Sequence, residues 1–560
     1  MAPSFSRSGK QLQEIHQATV RFAGDSGDGM QLVGSQFADL SSLMGNAIRT
    51  EPDFPSEIRA PAGSLAGVSG YQLHFADEEV TTPGDEPYVL VAMNPAALKV
   101  NLPEVQLGGV LIVNQDEFTD ANLAKARYQA NPLEDGSLAG YRVVPVPMTR
   151  LNDEATRVVK LSSRERARCK NFFALGVVLW LYDRPLQPLL EWMMKKFRKT
   201  REVMAANGAA LRAGHNFANT TELFRVHYHV APAKLPKGRY RRVNGNEAMA
   251  MGLIAATHRA GRTLLYASYP ITPASEILHE LSRHKEFDVR TLQCEDEIAA
   301  CCAAIGGAFA GAIGVTGTSG PGLALKTEAM GLAVMTELPL VIVNVQRAGP
   351  STGMPTKTEQ ADLLMALYGR HGESPLVVLA ASSPADCFPV AFEAVRLATK
   401  YMTPVLVLSD SFLANSAEAM ALPKPKDLPD LTIPSPAEAT PDFAPYRRDP
   451  KTLARPWAVP GTAGLEHRIG GLEKQDGSGL VTYDADNHRK MVDLRARKID
   501  GIARDIPPAR VDGEARGDLL LVSWGSTHGA ITAAVKSAHA ERSEGRRVGK
   551  EFRIRGCAKH

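Results

Sequence analysis

Cysteine is scarce in this chain, and the few cysteines present are scattered. No two of them form a CxxC pair. This pattern does not provide a disulfide framework. It also leaves no evident place on this chain for an iron–sulfur cluster or a structural zinc ion. The six positions are Cys169, Cys294, Cys301, Cys302, Cys387 and Cys557.

Long apolar runs and an excess of one charge are also absent. No segment approaches the roughly 18 consecutive apolar residues that a membrane-spanning helix needs, and residues 1–17 lack the apolar core of a signal peptide. Lysine and arginine total 64 against 61 acidic residues, which gives a net charge of +3. So small an imbalance argues against nucleic-acid or membrane partners. We expect a cytoplasmic protein.

The composition itself is that of an ordinary globular protein. The chain has 560 residues, of which 44% are hydrophobic and 22% charged, and this length suits roughly three domains of about 150 residues each. Strand and helix patterns alternate, which predicts α/β folds. After an N-terminal extension (1–17), we expect a doubly wound α/β domain (18–230), a linker (231–242) and a second α/β domain (243–420).

A glycine-rich turn opens the first of these domains, between a predicted strand at 19–22 and a predicted amphipathic helix at 30–44. Gly24, Gly27 and Gly29 would let backbone N–H groups and a helix N-terminus face one anion. The order G-x-x-G-x-G differs from the dinucleotide-binding fingerprint, and no asparagine pair follows to complete a thiamine diphosphate GDG motif. Further strands are predicted at 88–93 and 109–114. Residues 49–59 are predicted to form a loop dense in paired charges, with a plain solvated loop as the alternative.

The second domain is organised around the heptapeptide Tyr-Pro-Ile-Thr-Pro-Ala-Ser at 269–275. It lies between a predicted strand at 264–267 and a predicted helix at 276–281, where open α/β sheets hold ligands. Its two prolines stiffen the loop. The loop would present the hydroxyls of Thr272 and Ser275 at the helix N-terminus. A proline-rich turn with an ordinary helix cap is the alternative.

Three acids, Glu295, Asp296 and Glu297, follow a predicted strand at 289–293 and precede a small-residue helix predicted at 298–311. Acids at this junction complement the helix dipole, and that role would explain Glu295 or Asp296. Next along the chain, residues 316–322 contain three glycines and are predicted to form a loop that permits close backbone approach to a ligand. Any ordinary turn is the alternative for that loop.

An arginine follows the strand predicted at 340–345. Arg347 is accompanied by the hydroxyls of Ser351, Thr352 and Thr356, a set suited to a bidentate grip on a carboxylate. A structural arginine paired to a surface acid is the alternative. Strands predicted at 376–379 and 405–408 complete a mostly parallel sheet.

The remainder of the chain is less regular. Ten prolines between Pro423 and Pro460 predict an extended connector, which we place at 421–515 together with a helical run at 487–498. Residues 518–529 read as strand, turn and helix, the start of an incomplete C-terminal α/β domain (516–560). The basic, aperiodic tail at 544–560 suggests a truncated end, because one strand and one helix cannot bury a core.

Taken together, these motifs resemble a known family. The heptapeptide resembles the YPITPxS signature of the α subunit of 2-oxoacid:ferredoxin oxidoreductases. Together with the three acids at 295–297, the glycine-containing segment at 316–322 and the segment around Arg347, it extends that resemblance over about 243–415. The glycine turn, the 49–59 segment and residues 170–176 resemble the γ component, fused here ahead of the α component. The resemblance implies a thiamine diphosphate pyrimidine-binding α/β domain behind a γ-type domain.

The family resemblance also implies roles for particular residues. Glu297 would hydrogen-bond the aminopyrimidine ring of thiamine diphosphate and promote formation of its reactive ylide, with Tyr269 and Pro270 beside the cofactor. Arg347, helped by Thr272 and Thr356, would hold the substrate carboxylate. Coenzyme A would be placed by the γ-type domain, through Gly24, Gly27 and Gly29 with Arg49 and Arg59 nearby.

By the same resemblance, the reaction is oxidative decarboxylation of a 2-oxoacid, with 2-oxoglutarate indicated by the fusion of γ to α. Pyruvate or a branched-chain 2-oxoacid is the alternative substrate, and Lys357 or His467 could meet a distal carboxylate. A β partner would supply Mg²⁺ and a 4Fe–4S cluster, in a heterodimer or heterotetramer that reduces ferredoxin. Two rival interpretations stay open: a transketolase-like enzyme without redox chemistry, and an inactive truncated subunit.

Overall fold

The structure is a computed structural model that describes residues 4–5, 10–55, 60–431, 433, 435–436, 438, 440–509, 511–513, 516 and 519–543. It divides into two compact units. Within the described residues, one unit contains the chain up to 242 together with 417–421 and 536–543, and the other contains 243–416 and 422–535. Among the helices described, none combines the length and the apolar character that crossing a bilayer requires.

The first unit is built on a mixed sheet of strand order β4-β5-β3-β6-β7-β8. Its strands and those around it are β1 (Ser4–Phe5), β2 (Gln11–Glu14), β3 (Gln17–Asp25), β4 (Ala47–Asp53), β5 (Val68–Ala76), β6 (Val89–Ala92), β7 (Val110–Asn114), β8 (Arg142–Val146), β9 (Val226–His229) and β10 (Tyr240–Asn244). The half from β3 to β8 is parallel. Strand β5 runs antiparallel to β3 and β4, and β2 pairs with β1 and β9 in a smaller sheet.

The helices of this unit cover the sheet. They are α1 (Met30–Leu43), α2 (Pro95–Asn101), α3 (Asp120–Lys125), α4 (Met148–Thr156), α5 (Ser163–Ala167), α6 (Lys170–Leu181), α7 (Gln187–Lys196) and α8 (Arg201–Thr220). Aromatic rings of Phe22, Phe37, Phe75 and Tyr182 pack edge-on or tilted in the core. The doubly wound α/β fold, the first helix and the strands predicted at 19–22, 88–93 and 109–114 are confirmed.

The prediction of a loop at 49–59 is wrong for its first half, because residues up to Asp53 belong to β4. Arg49 is buried, forms an ion pair with Glu418 and donates from Nε to the Val80 carbonyl oxygen at 3.3 Å. The density of charged residues suggests a solvated loop, but this segment is a strand and the charge of Arg49 is paired within the fold. Arg59 lies outside the described residues.

The second unit contains a parallel sheet of order β12-β11-β13-β14-β16-β15. Its strands are β11 (Leu264–Ser268), β12 (Val289–Gln293), β13 (Ile313–Thr318), β14 (Leu340–Gln346), β15 (Val377–Ala380) and β16 (Pro404–Asp410), and the next strand along the chain, β17 (Ala417–Ala421), belongs to the first unit. The helices are α9 (Gly245–Arg259), α10 (Ser275–Leu281), α11 (Glu297–Phe309), α12 (Gly320–Leu325), α13 (Thr327–Thr336), α14 (Leu363–Tyr368), α15 (Cys387–Tyr401) and α16 (Ser411–Asn415), then α17 (Ala485–Ile502) and α18 (Thr527–Ser543), of which the part after 535 is grouped with the first unit. The strands and helices predicted at 264–267, 276–281, 289–293, 298–311, 340–345, 376–379 and 405–408 are confirmed.

The loop predicted at 316–322 is wrong in part, because a buried central strand, β13, runs to Thr318 and α12 begins at Gly320. The glycines obscured this strand. A Cβ at Gly317 would collide with the hydroxyl of Tyr266 on β11. Glycine is therefore needed here so that a bulky neighbour can pack across the sheet, and not to form a turn.

The proline-rich segment after β17 has little regular structure but is packed within the second unit. Tyr446, Trp457 and Leu465 are buried, and the Trp457 indole donates to the Ala308 carbonyl oxygen at 2.9 Å. Buried Glu337 is bonded by Arg448 and Lys498 at 2.7 and 2.6 Å. These contacts fix the segment and α17 onto the sheet.

The strand predicted near 518–523 is also wrong, since residues 519–524 form no strand. Leu519 and Val522 are 79% and 84% exposed. An apolar run becomes a strand only when a neighbour completes its hydrogen-bond ladder, and none of the described residues does so here. The helix predicted after it is present as α18.

Candidate active site

Four strand-end segments of the second unit meet at one edge of its sheet. Strands β12, β11, β13 and β14 are consecutive neighbours and parallel, so their carboxyl ends lie side by side. Glu297 follows β12, the heptapeptide follows β11, Ser319 follows β13 and Arg347 follows β14. The sheet order therefore brings together segments that are up to about 80 residues apart in sequence, at the place where parallel sheets bind ligands.

Of the three acids after β12, Asp296 and Glu297 have different tasks. The Asp296 side chain caps α11 by accepting from the Ala299 N–H at 2.7 Å, which confirms the expectation that a neighbour of Glu297 serves the helix. Glu297 is the first residue of α11 and is half-buried. Because Asp296 caps the helix, the Glu297 carboxylate does not serve as the cap, and it lies close to Tyr269.

Tyr269 links the ends of β11 and β13. Its hydroxyl is hydrogen-bonded to Thr318 Oγ1 at 2.9 Å. Burial raises the pKa of this hydroxyl, and the neighbouring Glu297 carboxylate raises it further. A Cβ at Gly322 would collide with the Tyr269 hydroxyl and with Thr318, and would approach Glu297 Cγ to 2.9 Å. Gly322 therefore leaves the space in which these three side chains converge.

Arg347 is a buried cation. It is 7% exposed, and its Nη1 donates to the Thr272 carbonyl oxygen at 2.7 Å, whereas its Nε has no hydrogen-bond acceptor in the described part of the chain. Within the described residues no carboxylate forms an ion pair with it, which contradicts the alternative of an arginine paired to a surface acid. Burial lowers the pKa of its guanidinium. A buried cation of this kind is unfavourable unless a ligand supplies the counter-charge.

The heptapeptide positions its backbone more than its hydroxyls. Ser275 does not cap α10, because the cap position is Ala274 with no side-chain bond. The Ser275 hydroxyl instead accepts from the Ile271 N–H at 2.8 Å and donates to the Ile271 carbonyl oxygen at 3.0 Å. Thr272 and Pro270 are exposed. The stiff turn thus fixes the Thr272 carbonyl oxygen against Arg347 and leaves the Thr272 hydroxyl accessible.

The loop after Arg347 folds back on itself. The Ala348 N–H donates to the Lys357 carbonyl oxygen at 2.9 Å, and the Met354 N–H donates to the Ala348 carbonyl oxygen at 3.0 Å. This arrangement returns half-buried Thr356 to the neighbourhood of Arg347. The Lys357 side chain is exposed. His467 is bonded to Leu465 and Arg455 in the proline-rich segment, which makes it a poor partner for a distal carboxylate.

Sequence reasoning missed several polar residues at this sheet edge. Lys326 is fully buried and donates from Nζ to the Glu297 carbonyl oxygen at 2.7 Å. Asn344 donates to Asp362 at 2.9 Å, and burial raises the pKa of that carboxyl group. The sequence offers one signal for Lys326 and Asn344: each is a polar residue inside an otherwise apolar or small-residue stretch.

In the first unit, the glycine turn is lined by acids. Gly29 caps α1 with a left-handed φ of 73°, and no atom lies near a Cβ built on Gly27. Asp28 accepts from the Asp25 N–H at 2.9 Å and forms an ion pair with Lys170 at 3.4 Å. Space is therefore left beside Gly27, whereas Asn171 lies against Gly29, and the cation beside the turn is shared with carboxylates.

The structure does not place Arg49 at this glycine turn. The strand register sets Arg49 opposite His74, and His74 opposite Thr19. Thr19 is five residues before Gly24, which is about 17 Å along a strand. The expectation that Arg49 assists an anion at the glycine turn is wrong.

Comparison with known proteins agrees with this geometry. Residues 256–484 match the family model described as pyruvate flavodoxin/ferredoxin oxidoreductase, thiamine diphosphate-binding. Residues 19–217 match the model described as pyruvate ferredoxin/flavodoxin oxidoreductase. The fold and the site thus define a thiamine-binding oxidoreductase component.

Individual relatives narrow the class. The chain is 53% identical to the 2-oxoglutarate oxidoreductase subunit KorA of Mycobacterium tuberculosis, over 94% of this chain and 80% of that protein. It is 37% identical to the 2-oxoglutarate synthase subunit KorA of Archaeoglobus fulgidus, over 52% and 75%. The 2-oxoglutarate:ferredoxin oxidoreductase of Magnetococcus marinus superposes with a TM-score of 0.80 at 31% identity, covering 94% of this chain and 86% of that one. This chain belongs to the KorA family of 2-oxoacid:ferredoxin oxidoreductase α subunits, as its motifs predicted.

Proposed function

We propose that this chain is the substrate-orienting subunit of an enzyme that converts 2-oxoglutarate, coenzyme A and oxidised ferredoxin into succinyl-CoA, carbon dioxide and reduced ferredoxin. The observation that carries the proposal is Arg347, a buried guanidinium with no acidic partner among the described residues, at the carboxyl end of β14. The Magnetococcus marinus structure, which was solved with 2-oxoglutarate, coenzyme A and succinyl-CoA bound, supports the choice of reactants.

The residues at the sheet edge fit thiamine diphosphate. When bound, this cofactor supplies the carbon nucleophile and the electron sink of decarboxylation. The buried hydroxyls of Thr316 and Ser319 have no hydrogen-bond partner in the described part of the chain, and buried polar groups of that kind are usually satisfied by a ligand or by water. Glu297 would accept a hydrogen bond from the aminopyrimidine ring, and Tyr269 and Pro270 would border that ring.

Arg347 would hold the substrate carboxylate that is lost as carbon dioxide. Nη1 is occupied by the Thr272 carbonyl oxygen, so Nε and Nη2 remain for the forked interaction that carboxylates favour. The exposed hydroxyl of Thr272 and the half-buried hydroxyl of Thr356 could bond the same group. Fixing the carboxylate in this way orients the keto carbon for attack.

The remaining parts of the reaction require other components. Because the sequence lacks both a diphosphate-binding GDG motif and CxxC cysteines, the proposal includes a β partner that binds Mg²⁺ and carries a 4Fe–4S cluster, and ferredoxin as the electron acceptor. A heterodimer or a heterotetramer of the two chains satisfies this requirement. Coenzyme A would approach the glycine turn before α1, at Gly24, Gly27 and Gly29.

The proposal is tested by co-expressing the chain with a β-type partner and following ferredoxin reduction. Reduction that requires both 2-oxoglutarate and coenzyme A, and that neither purified chain supports alone, is the expected result. Turnover without ferredoxin, in the manner of a transketolase, would contradict it. Tight assembly without any turnover would favour an inactive subunit.

A further inference from the structure

Lys326 is a buried cation in direct contact with the turn that carries Glu297. It lies between α12 and α13 and is 0% exposed. Its Nζ donates to the Glu297 carbonyl oxygen at 2.7 Å and lies 4.8 Å from the centroid of the Tyr269 ring. One side chain thus contacts both Glu297, which would bond the expected cofactor ring, and Tyr269, which would border it.

Among the described residues no carboxylate forms an ion pair with the Lys326 ammonium, and burial lowers the pKa of this group. A buried charge in this state is unfavourable for stability, so its presence points to a role that repays the loss. The titratable groups that face it are Glu297, Asp296, Cys294 and Cys301, with the Tyr269 ring on a further side.

We propose that Lys326 is a positioning residue for Glu297. The bond from Nζ to the Glu297 carbonyl oxygen fixes the first turn of α11, and with it the place from which the Glu297 side chain extends. The inference rests on the proposed function, in which Glu297 bonds the aminopyrimidine ring.

The second unit contains a matched control. Lys474 is 3% exposed, donates from Nζ to the Met335 carbonyl oxygen at 2.6 Å and lies 5.1 Å from the centroid of the Tyr446 ring. Its surroundings reproduce those of Lys326 closely, but Met335 and Tyr446 lie outside the strand-end segments that form the candidate site. Replacing either lysine by methionine keeps most of the volume and removes the charge.

The experiment compares Lys326→Met, Lys326→Gln and Lys474→Met in the complex with the β partner. Three quantities are measured: the thermal midpoint, the affinity for thiamine diphosphate by calorimetry, and the rate of hydrogen exchange at the thiazolium C2 with the cofactor site saturated. In both Lys326 variants we expect this exchange to slow by about tenfold or more, since a positioned acid or base contributes about 10²–10⁴-fold and a loosened first turn of α11 loses part of that contribution. Glutamine keeps a donor for the Glu297 carbonyl oxygen, so Lys326→Gln should bind the cofactor more tightly than Lys326→Met.

Lys474→Met should change the thermal midpoint only, with wild-type cofactor affinity and a wild-type exchange rate. The inference is overturned if the Lys326 variants bind the cofactor with wild-type affinity and exchange at the wild-type rate, or if both fail to fold while Lys474→Met folds, because either result makes Lys326 purely structural. Absence of cofactor binding or exchange in the wild-type complex would instead refute the proposed function, and the two failures are therefore distinguishable.

Discussion

Arg347 Nη1 donates to the Thr272 carbonyl oxygen at 2.7 Å, which ties the end of β14 to the end of β11. The bond occupies one nitrogen of the guanidinium and leaves Nε, which is buried, without an acceptor among the residues that the structure describes. Because the proline-rich turn is stiff, the arginine is held in one orientation before any substrate arrives. The free guanidinium nitrogens of Arg347 are therefore already oriented to receive a carboxylate.

Replacing Arg347 by alanine should cost about 3–5 kcal/mol of transition-state binding, because the substrate carboxylate would lose its buried counter-charge. The measurement is kcat/KM of the reconstituted complex. Arg370→Ala is the control, since Arg370 donates only to backbone carbonyl oxygens of α14 and its neighbouring turn. Equal kcat/KM in Arg347→Ala and wild type would remove Arg347 from the site.

The variant Glu297→Gln keeps the shape of the side chain but not its carboxylate. Exchange of the cofactor C2 proton should slow by about 10²–10⁴-fold, the usual contribution of a positioned acid or base, while the fold survives. NMR exchange on the loaded complex provides the rate. Glu295→Gln changes an exposed neighbour and should exchange normally. Unaltered exchange in Glu297→Gln would show that another group performs this task.

Gly322→Ala should weaken cofactor binding, because the added methyl group collides with Tyr269 and Thr318 and crowds Glu297. The paired substitution is Gly331→Ala in α13, where a Cβ meets nothing within 4 Å. That change should stabilise the helix by up to about 1 kcal/mol and leave cofactor affinity unchanged. Calorimetric titration with thiamine diphosphate distinguishes the two variants, and equal affinities would argue against convergence of these side chains at the cofactor.

Glu337 should make the stability of the second unit depend on pH. Burial alone would raise the pKa of this carboxyl group, but Lys498 and Arg448 lower it to about 2. A carboxyl group whose folded-state pKa is depressed stabilises the fold above its unfolded pKa and loses that contribution as the pH falls towards the folded value. We expect this stabilising contribution to be lost between about pH 5 and pH 2. The free energy of unfolding, measured with denaturant at each pH, provides the test.

Glu337→Gln should lower the free energy of unfolding by about 3–5 kcal/mol at neutral pH, since it leaves Lys498 buried without its charge partner and removes one of the two carboxylates that pair with Arg448. The exposed pair of Arg447 and Asp442 serves as the control, because Asp442→Asn should change stability by less than about 1 kcal/mol. Equal losses in the two variants would mean that the buried cluster contributes no more than a surface pair.

Much of the second unit could be predicted from sequence because its strands are apolar runs that end at marked turns. The segments after β11, β12 and β14 were located correctly, and parallel pairing then places their ends together. Strand β13 was missed because its glycines and threonines resemble a turn until Tyr266 is seen to occupy the missing side-chain space.

Other features depend on contacts that no local pattern reveals. Arg49 finds its partner in Glu418, which is far away in the sequence, and a strand with paired charges was therefore read as a loop. Lys326 was hidden for the same reason, since a lysine in a helical stretch normally indicates a solvated face. The leucine-rich run at 519–522 is the opposite case, because its composition predicts a strand where the structure has none. A high β propensity leads to a strand only when a neighbouring strand is available.

The measurement that tests the central claim most directly is kcat/KM of the reconstituted complex for 2-oxoglutarate, pyruvate and a branched-chain 2-oxoacid, with ferredoxin as acceptor. A distal carboxylate needs a cation or hydroxyl-lined pocket, since burying it unpaired would cost several kcal/mol, and an enzyme that provides one should discriminate strongly. We expect 2-oxoglutarate to be preferred by at least about tenfold, a free-energy difference of about 1.4 kcal/mol. A tenfold preference for pyruvate would contradict the assignment of the substrate, and no 2-oxoacid-dependent reduction of ferredoxin at all would contradict the reaction itself.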